Sequence, residues 1–190
     1  MGKVGAKDKD DVVIVGMART AMTKAKRGAQ KDTPIESMLE PVFKAVLDQS
    51  KIDPKLVEDV CVGNVVMVGC SAVQARIAVL LAGMPVTATV STVNRQCSSG
   101  LQAVMNVANA IRNRQIDIGI GGGVESMSNG KMDDAVDPNF LSNKTFDHPI
   151  AQTCLMPMGL TSENVAEKYG INRTTQDQMA VDSHAKALIA

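Results

Sequence analysis

Aromatic residues are nearly missing from this chain: one Tyr, three Phe and no Trp among 190 residues. That poverty argues against a platform on which nucleic-acid bases stack. Net charge is missing as well, because twenty Lys and Arg balance twenty Asp and Glu. Neither a nucleic-acid surface nor a polybasic membrane patch is therefore indicated. No apolar run approaches the length needed to span a bilayer, and no apolar signal peptide opens the chain. Cys61, Cys70, Cys97 and Cys154 form no CxxC pair, and His148 and His184 stand without Cys or carboxylate at ligand spacing, so no metal site is expected. Four unpatterned cysteines suit a reducing intracellular compartment better than a secreted disulfide scaffold.

What is present is aliphatic mass, with hydrophobic residues at 45% and 12 Met, enough to bury a core. Residues 1–10 are charged, small and aperiodic, and read as a flexible leader. The continuous apolar run Asp11 to Met17 reads as a strand buried on both faces. A basic loop, Arg19 to Lys31, follows as a solvated connection, with a phosphate contact as the alternative. Thr33-Pro34-Ile35-Glu36 fits a capping box with proline at the first helical position, followed by the stripe Ile35, Met38, Leu39, Val42, Val46 and Leu47. Val57 to Met67 contains a second strand, and Val73 to Leu81 a short helix stopped at Gly83.

The chain is organised around residues 86–114. Thr87, Thr89, Ser91 and Val93 alternate with Ala88, Val90 and Thr92 as in a half-buried pleat, which closes with Asn94, Arg95 and Gln96 and delivers Cys97. Behind the thiol, Leu101, Val104, Met105, Ala108 and Ile111 recur at helical spacing, and Ala103 and Val107 make the other side apolar too, predicting a helix buried on most faces. A thiol at the mouth of a helix meets unpaired backbone N–H groups and the positive end of the dipole, which favour negative charge on sulfur or on a nearby oxyanion. Ser98, Ser99 and Gly100 are small enough to let a flat substrate approach. From this local pattern alone, a buried structural cysteine remains equally open.

Ile116 to Val124 reads as a fourth strand ending in glycines; lacking GxGxxG and GxxxxGK, it is no phosphate loop. Strand and helix alternate as in an α/β layered fold with helices on both sheet faces. Residues 126–150 are polar and aperiodic, an excursion from the core. Two helices follow, Ser162 to Tyr169 and one after Thr174, where Thr174 to Asp177 again fits a capping box.

The run NRQCSSGLQAV around Cys97 resembles the active-site segment of thiolases, in particular the degradative 3-ketoacyl-CoA type of peroxisomes. ARTAMTKAKRG near the start, GGGVESMS at Gly121 to Ser128 and CLMPMGLTSENVAEKYGI at Cys154 to Ile171 resemble the same family in matching order. The resemblance implies a thiolase-like layered α/β fold whose first core half, a mixed sheet with helices on both faces, occupies residues 11–125 without its final strand. Residues 126–190 would begin an inserted α-helical lid over coenzyme A. It implies thiolytic cleavage of 3-ketoacyl-CoA by coenzyme A through an acyl-Cys97 intermediate. Coenzyme A would be a substrate, with no cofactor and no metal. By the same resemblance Cys97 is the nucleophile with its own N–H as an oxyanion donor, Met158 lies beside the acyl pocket, and Asn64 stands near the reaction centre. Glycines 121–123 would let backbone pass close to the thiol's surroundings. The expected partner is a second subunit, paired through the strand ending at Cys97, and the expected location is the peroxisome, with mitochondrion or cytosol as alternatives.

The match departs from the family in two places. The amino-terminal targeting nonapeptide is not reproduced, since Asp10-Asp11 follows Lys3-Val4 where another pair is expected. The family's second half supplies an Asn in NEAF, a His in GHP and a second Cys in CxGxG, and none of these occurs here; His148-Pro149 follows Asp147 where GHP has glycine. The alternative to an enzyme is thus a non-catalytic module docking on full-length thiolase subunits. A cysteine hydrolase is disfavoured, because no histidine follows a strand or turn where it could serve as base.

Overall fold

The computed structural model describes Asp8 and residues 10–131 and 137–189. Within these bounds the chain forms two compact units, Met1–Asp137 and Pro138–Ala190. The leader expected at residues 1–10 lies outside the described residues except for Asp8 and Asp10.

The first unit is built on three parallel strands, β1 (Asp59–Gly63), β2 (Thr89–Val93) and β3 (Gly119–Gly123), in the order β2-β1-β3. Every described pairing is parallel, where a mixed sheet is expected. Helices α1 (Ile35–Ser50), α2 (Ala72–Leu81) and α3 (Ser99–Arg112) connect and cover them. Alternation along β1 sorts the two faces. Val60 and Val62 pack with Leu39, Phe43 and Leu47 of α1 and Ala78 and Val79 of α2, whereas Cys61 turns to Ala103 and Val107 of α3.

Packing, not capping, makes α1. Pro34 occupies the N-cap itself with no side-chain hydrogen bond, so the capping box expected at Thr33 does not form. A cap contributes about 1 kcal/mol, whereas burying a large apolar side chain contributes about 1.5–3 kcal/mol. Ile35, Leu39, Phe43 and Leu47 are all buried, which outweighs the missing cap and the N–H that Pro41 lacks inside the helix. The stripe read from sequence shares Ile35, Leu39 and Leu47 with this row and lacks Phe43. Phe43 heads the core, while Met38, Val42 and Val46 are half-buried.

The strand expected over Asp11 to Met17 is not formed. These residues lack a ladder partner, and Val13, Ile14, Val15 and Met17 are exposed. The Met17 N–H ties them to α1 by donating to Gln49 Oε1 at 2.6 Å. A cavity of about 920 Å³, bordered by Val13, Val15, Val42, Val107 and Ile120, separates them from the outer side of β3. Among the described residues the outer edge of β3 is free, but the cavity keeps the run out of ladder contact with it, so no strand forms.

Helix α3 buries one face, Ser99, Ala103 and Val107, instead of most faces; Leu101 and Met105 are exposed. Glycine sets how closely it lies. A Cβ on Gly121 would come within 2.6 Å of Val104 Cα, so α3 sits on the sheet where β3 has no side chain.

The second unit contains α4 (Asn143–Asp147), α5 (Met158–Tyr169) and α6 (Arg173–Ile189), with 3₁₀ turns at Pro138–Phe140 and Ala151–Leu155. Helix α5 begins four residues earlier than the sequence suggested and ends on Gly170, whose φ of 64° suits glycine. Helix α6 is capped by Asn172, whose Oδ1 accepts from the Thr175 N–H at 2.9 Å, in place of the box expected from Thr174. No described helix is long and apolar enough to cross a membrane.

Candidate active site

In a parallel sheet all strands end at one side, and crevices beyond those carboxyl ends are where α/β proteins place ligands. Three segments converge there. Asn64 follows β1, Asn94 to Cys97 follow β2, and Val124 and Glu125 follow β3. The strand ends are laced together: Asn64 N–H donates to Val93 O at 3.1 Å and Val124 N–H to Gly63 O at 3.0 Å.

Cys97 is exposed and stands on the turn between β2 and α3. Gln96 before it adopts φ 51°, in the left-handed region that a non-glycine residue enters at a cost of about 1–2 kcal/mol. Neighbouring groups hold it there. Asn94 Oδ1 accepts from the Gln96 N–H at 3.0 Å, and the Ser99 hydroxyl donates to Gln96 O at 2.6 Å while accepting from the Arg95 N–H at 2.9 Å. Ser98 and Ser99 N–H already donate to Arg95 O and Gln96 O. Cys97's own N–H is one of the remaining amides at this helix mouth that an oxyanion could use.

Glycine brings α3 to this point. A Cβ on Gly63 would sit 2.4 Å from the Ser99 carbonyl carbon, and one on Gly123 would sit 3.3 Å from Gly100 Cα. Gly121 and Gly123 thus admit the helix as expected, while a Cβ on Gly122 would meet nothing within 4 Å.

Asn64 lies at the same strand ends but is buried, 1% exposed. Its amide donates to Val124 O at 2.7 Å and Glu125 Oε1 at 3.0 Å, and its Oδ1 accepts from the Met67 N–H at 3.2 Å. An amide so engaged holds loops in place. Met158 opens α5 in the second unit and is 64% exposed. His148, in that unit, accepts from the N–H groups of Ile150 and Ala151 at 3.2 Å each through Nδ1, a local turn cap.

The other thiols differ in setting. Cys61 is buried between β1 and α3, and Cys70, half-buried, donates to Asn64 O at 3.2 Å. Cys154 is exposed in the 3₁₀ turn of the second unit. No cluster of three or more His, Cys, Asp or Glu that could hold a metal ion exists among the described residues. Glu125 and Asn94 carry structural weight that their sequence context did not assign. The signal was a carboxylate directly after a glycine-rich strand, and the Val65 N–H and the Asn64 side chain are what bind it.

A parallel α/β sheet with a cysteine on its carboxyl-end turn, leading into a helix, defines a class, and the family comparison agrees: residues 12–190 match the thiolase N-terminal domain, and the chain belongs to the thiolase family. Among its relatives is the peroxisomal 3-ketoacyl-CoA thiolase of Yarrowia lipolytica, 50% identical over 187 residues, which are 98% of this chain and 45% of that protein. The peroxisomal 3-ketoacyl-CoA thiolase of Homo sapiens is 48% identical over 177 residues, 93% of this chain and 41% of that one. The dimeric peroxisomal thiolase of Saccharomyces cerevisiae superimposes with a TM-score of 0.85 at 40% identity, covering 96% of this chain and 47% of that structure. The chain spans less than half the length of these relatives.

Proposed function

We propose that Cys97 is the acyl-accepting nucleophile of a peroxisomal 3-ketoacyl-CoA thiolase. The observation that carries this is an exposed cysteine in NRQCSSG, held on a left-handed turn at the carboxyl ends of three parallel strands, in a chain of thiolase family. Sγ attacks the 3-keto carbon, the bond between C2 and C3 breaks, and its electron pair leaves on C2 as the enolate of acetyl-CoA, which takes up a proton. Coenzyme A then attacks the acyl-Cys97 thioester, giving the shortened acyl-CoA and restoring the thiol. Sulfur suits this exchange, because the intermediate and both products are thioesters of similar energy. The Cys97 N–H is assigned to the oxyanion. Met158 is assigned to the acyl side. Asn64 serves the centre by holding the strand ends.

Names of relatives support fatty acid β-oxidation in the peroxisome and a homodimer. The free outer edge of β2 in the described structure supports a second reading, a non-catalytic module that pairs with thiolase subunits through that edge. Incubation with acetoacetyl-CoA followed by peptide mass spectrometry separates them. An acetyl group on Cys97 is expected; an unmodified Cys97 beside an acylated Cys70 or Cys154 would overturn the assignment.

A further inference from the structure

Glu125 stands one residue beyond Val124, whose N–H closes β3 onto Gly63, and its carboxylate reaches across to the loop leaving β1. Oε1 accepts from Asn64 Nδ2 at 3.0 Å, and Oε2 accepts from the Val65 N–H at 2.9 Å. The Val66 N–H points between both oxygens, 3.4 Å from each. That N–H belongs to the same peptide group as Val65 O, and Val65 O accepts from Asn94 Nδ2 at 3.1 Å. Asn94 Oδ1 in turn accepts from the N–H of Gln96, the left-handed residue immediately before Cys97.

We infer that Glu125 is a positioning residue for Cys97, acting through the Val65–Val66 peptide and Asn94. The inference rests on the reading of Cys97 as nucleophile and adds to it a second residue, from a different strand, that never touches the substrate. The physical need is specific. A non-glycine residue in the left-handed region persists only where its surroundings over-determine it. The Asn94 carboxamide supplies one of those constraints, and Asn94 is exposed, so its own orientation has to be fixed by what its amide nitrogen meets. Val65 O is that acceptor, and the peptide bearing it is gripped from behind by the carboxylate. Without Glu125 the Asn64 to Met67 loop loses its common acceptor, Asn94 loses a fixed partner, and Gln96 is free to relax toward negative φ, carrying Sγ away from the mouth of α3.

A control is built into the fold. At the opposite end of the same sheet Glu58 does an equivalent job, its Oε2 accepting from the Asp117 and Ile118 N–H groups at 2.5 and 3.2 Å. Removing it damages a strand connection without reaching the β2 to α3 turn.

The experiment is iodoacetamide alkylation of the whole 190-residue chain at one pH, followed by peptide mass spectrometry, for the native chain and for Glu125→Ala, Glu125→Gln, Asn94→Ala and Glu58→Ala. Native Cys97 should react faster than it does in urea. In Glu125→Ala its rate should fall toward the urea value by roughly two- to tenfold, the factor that one intramolecular hydrogen bond supports. Glu125→Gln keeps one acceptor oxygen and should recover most of the native rate, while Glu58→Ala should leave it unchanged. An unchanged rate in Glu125→Ala overturns the inference, as does an equal fall in Glu58→Ala. If Glu125→Ala does not fold by circular dichroism, Asn94→Ala decides: slowed Cys97 supports the inference, a native rate overturns it. Native Cys97 reacting no faster than in urea refutes the nucleophile reading itself, and the positioning role with it.

Discussion

Gly63 and Ser99 approach so closely that a Cβ on Gly63 would lie 2.4 Å from the Ser99 carbonyl carbon. The end of β1 is therefore the seat of the first turn of α3, and that turn carries Cys97. The atoms such a Cβ would strike are backbone, which cannot swing aside as a side chain would. Gly63→Ala should destabilise the first unit by about 1–3 kcal/mol, the cost of overpacking a filled site. Gly122→Ala, where a Cβ meets nothing within 4 Å, should stay within about 0.5 kcal/mol of native. Urea denaturation followed by circular dichroism measures both. Equal losses in the two variants would show that the contact does not govern the position of α3.

Exposure and setting together order the four thiols. Cys61 should resist alkylation until the fold opens, since it is 1% exposed, and Cys70 is shielded and donates to Asn64 O. Cys154 is the true competitor, being exposed like Cys97. It sits within a short 3₁₀ turn, whereas Cys97 stands just before a 14-residue α-helix, on a left-handed turn that Asn94 and Ser99 hold in place. Brief substoichiometric iodoacetamide should label Cys97 first. Cys154 labelled ahead of it would mean that exposure alone sets reactivity.

The sequence was legible where pattern and packing agree. Apolar runs around Val60 and Ile120 became β1 and β3, and the alternation from Thr89 to Val93 became β2. Cys97 stood out as a candidate because a strand, a thiol, small residues and a helix follow one another without interruption. What failed was what depends on distant partners. Asp11 to Met17 has the composition of a strand, but composition does not bring it into contact with the free edge of β3. The cap at Thr33 was a local match overruled by the burial of Phe43 and its row, and the one-sided burial of α3 follows from what lies against it. Asn64 was singled out, but its burial among Val124, Glu125 and Met67 is a fact of converging strand ends, with Val124 and Glu125 sixty and sixty-one residues away.

The outer edge of β2 gives the dimer proposal a sharper test. Thr89 N–H donates to Glu58 O and Val93 O accepts from Asn64 N–H, so these residues turn their backbone groups inward to β1. In a parallel ladder the alternate residues, Val90 and Thr92, then present N–H and C=O at the free edge. Thr92→Pro removes an outward N–H while sparing the inward bonds. Where the chain associates through β2, this variant should sediment as a monomer at concentrations that keep the native chain dimeric. A dimer that survives the change would place the interface elsewhere.

The final prediction concerns turnover by these 190 residues alone. Cleaving the carbon–carbon bond requires Cys97 to lose a proton and the departing enolate to gain one, and a positioned acid or base contributes about 10² to 10⁴ in rate. The unit that holds Cys97, Met1–Asp137, contains no histidine, since both lie beyond it at positions 148 and 184. His148 commits Nδ1 to two backbone amides, and the family motifs that would bring a histidine and a second cysteine do not occur in this sequence. Groups that act as one catalytic set lose activity non-additively, so a nucleophile with a single oxyanion donor should retain far less than one factor's worth of the rate. Purified chain should therefore accept at most one acyl group on Cys97 from acetoacetyl-CoA and show no sustained acetyl-CoA release when coenzyme A is added. Adding the carboxyl-terminal half of a full-length relative should raise turnover if the two halves assemble. Sustained turnover by the chain alone that vanishes in Cys97→Ala would show that the acid and base lie within these 190 residues.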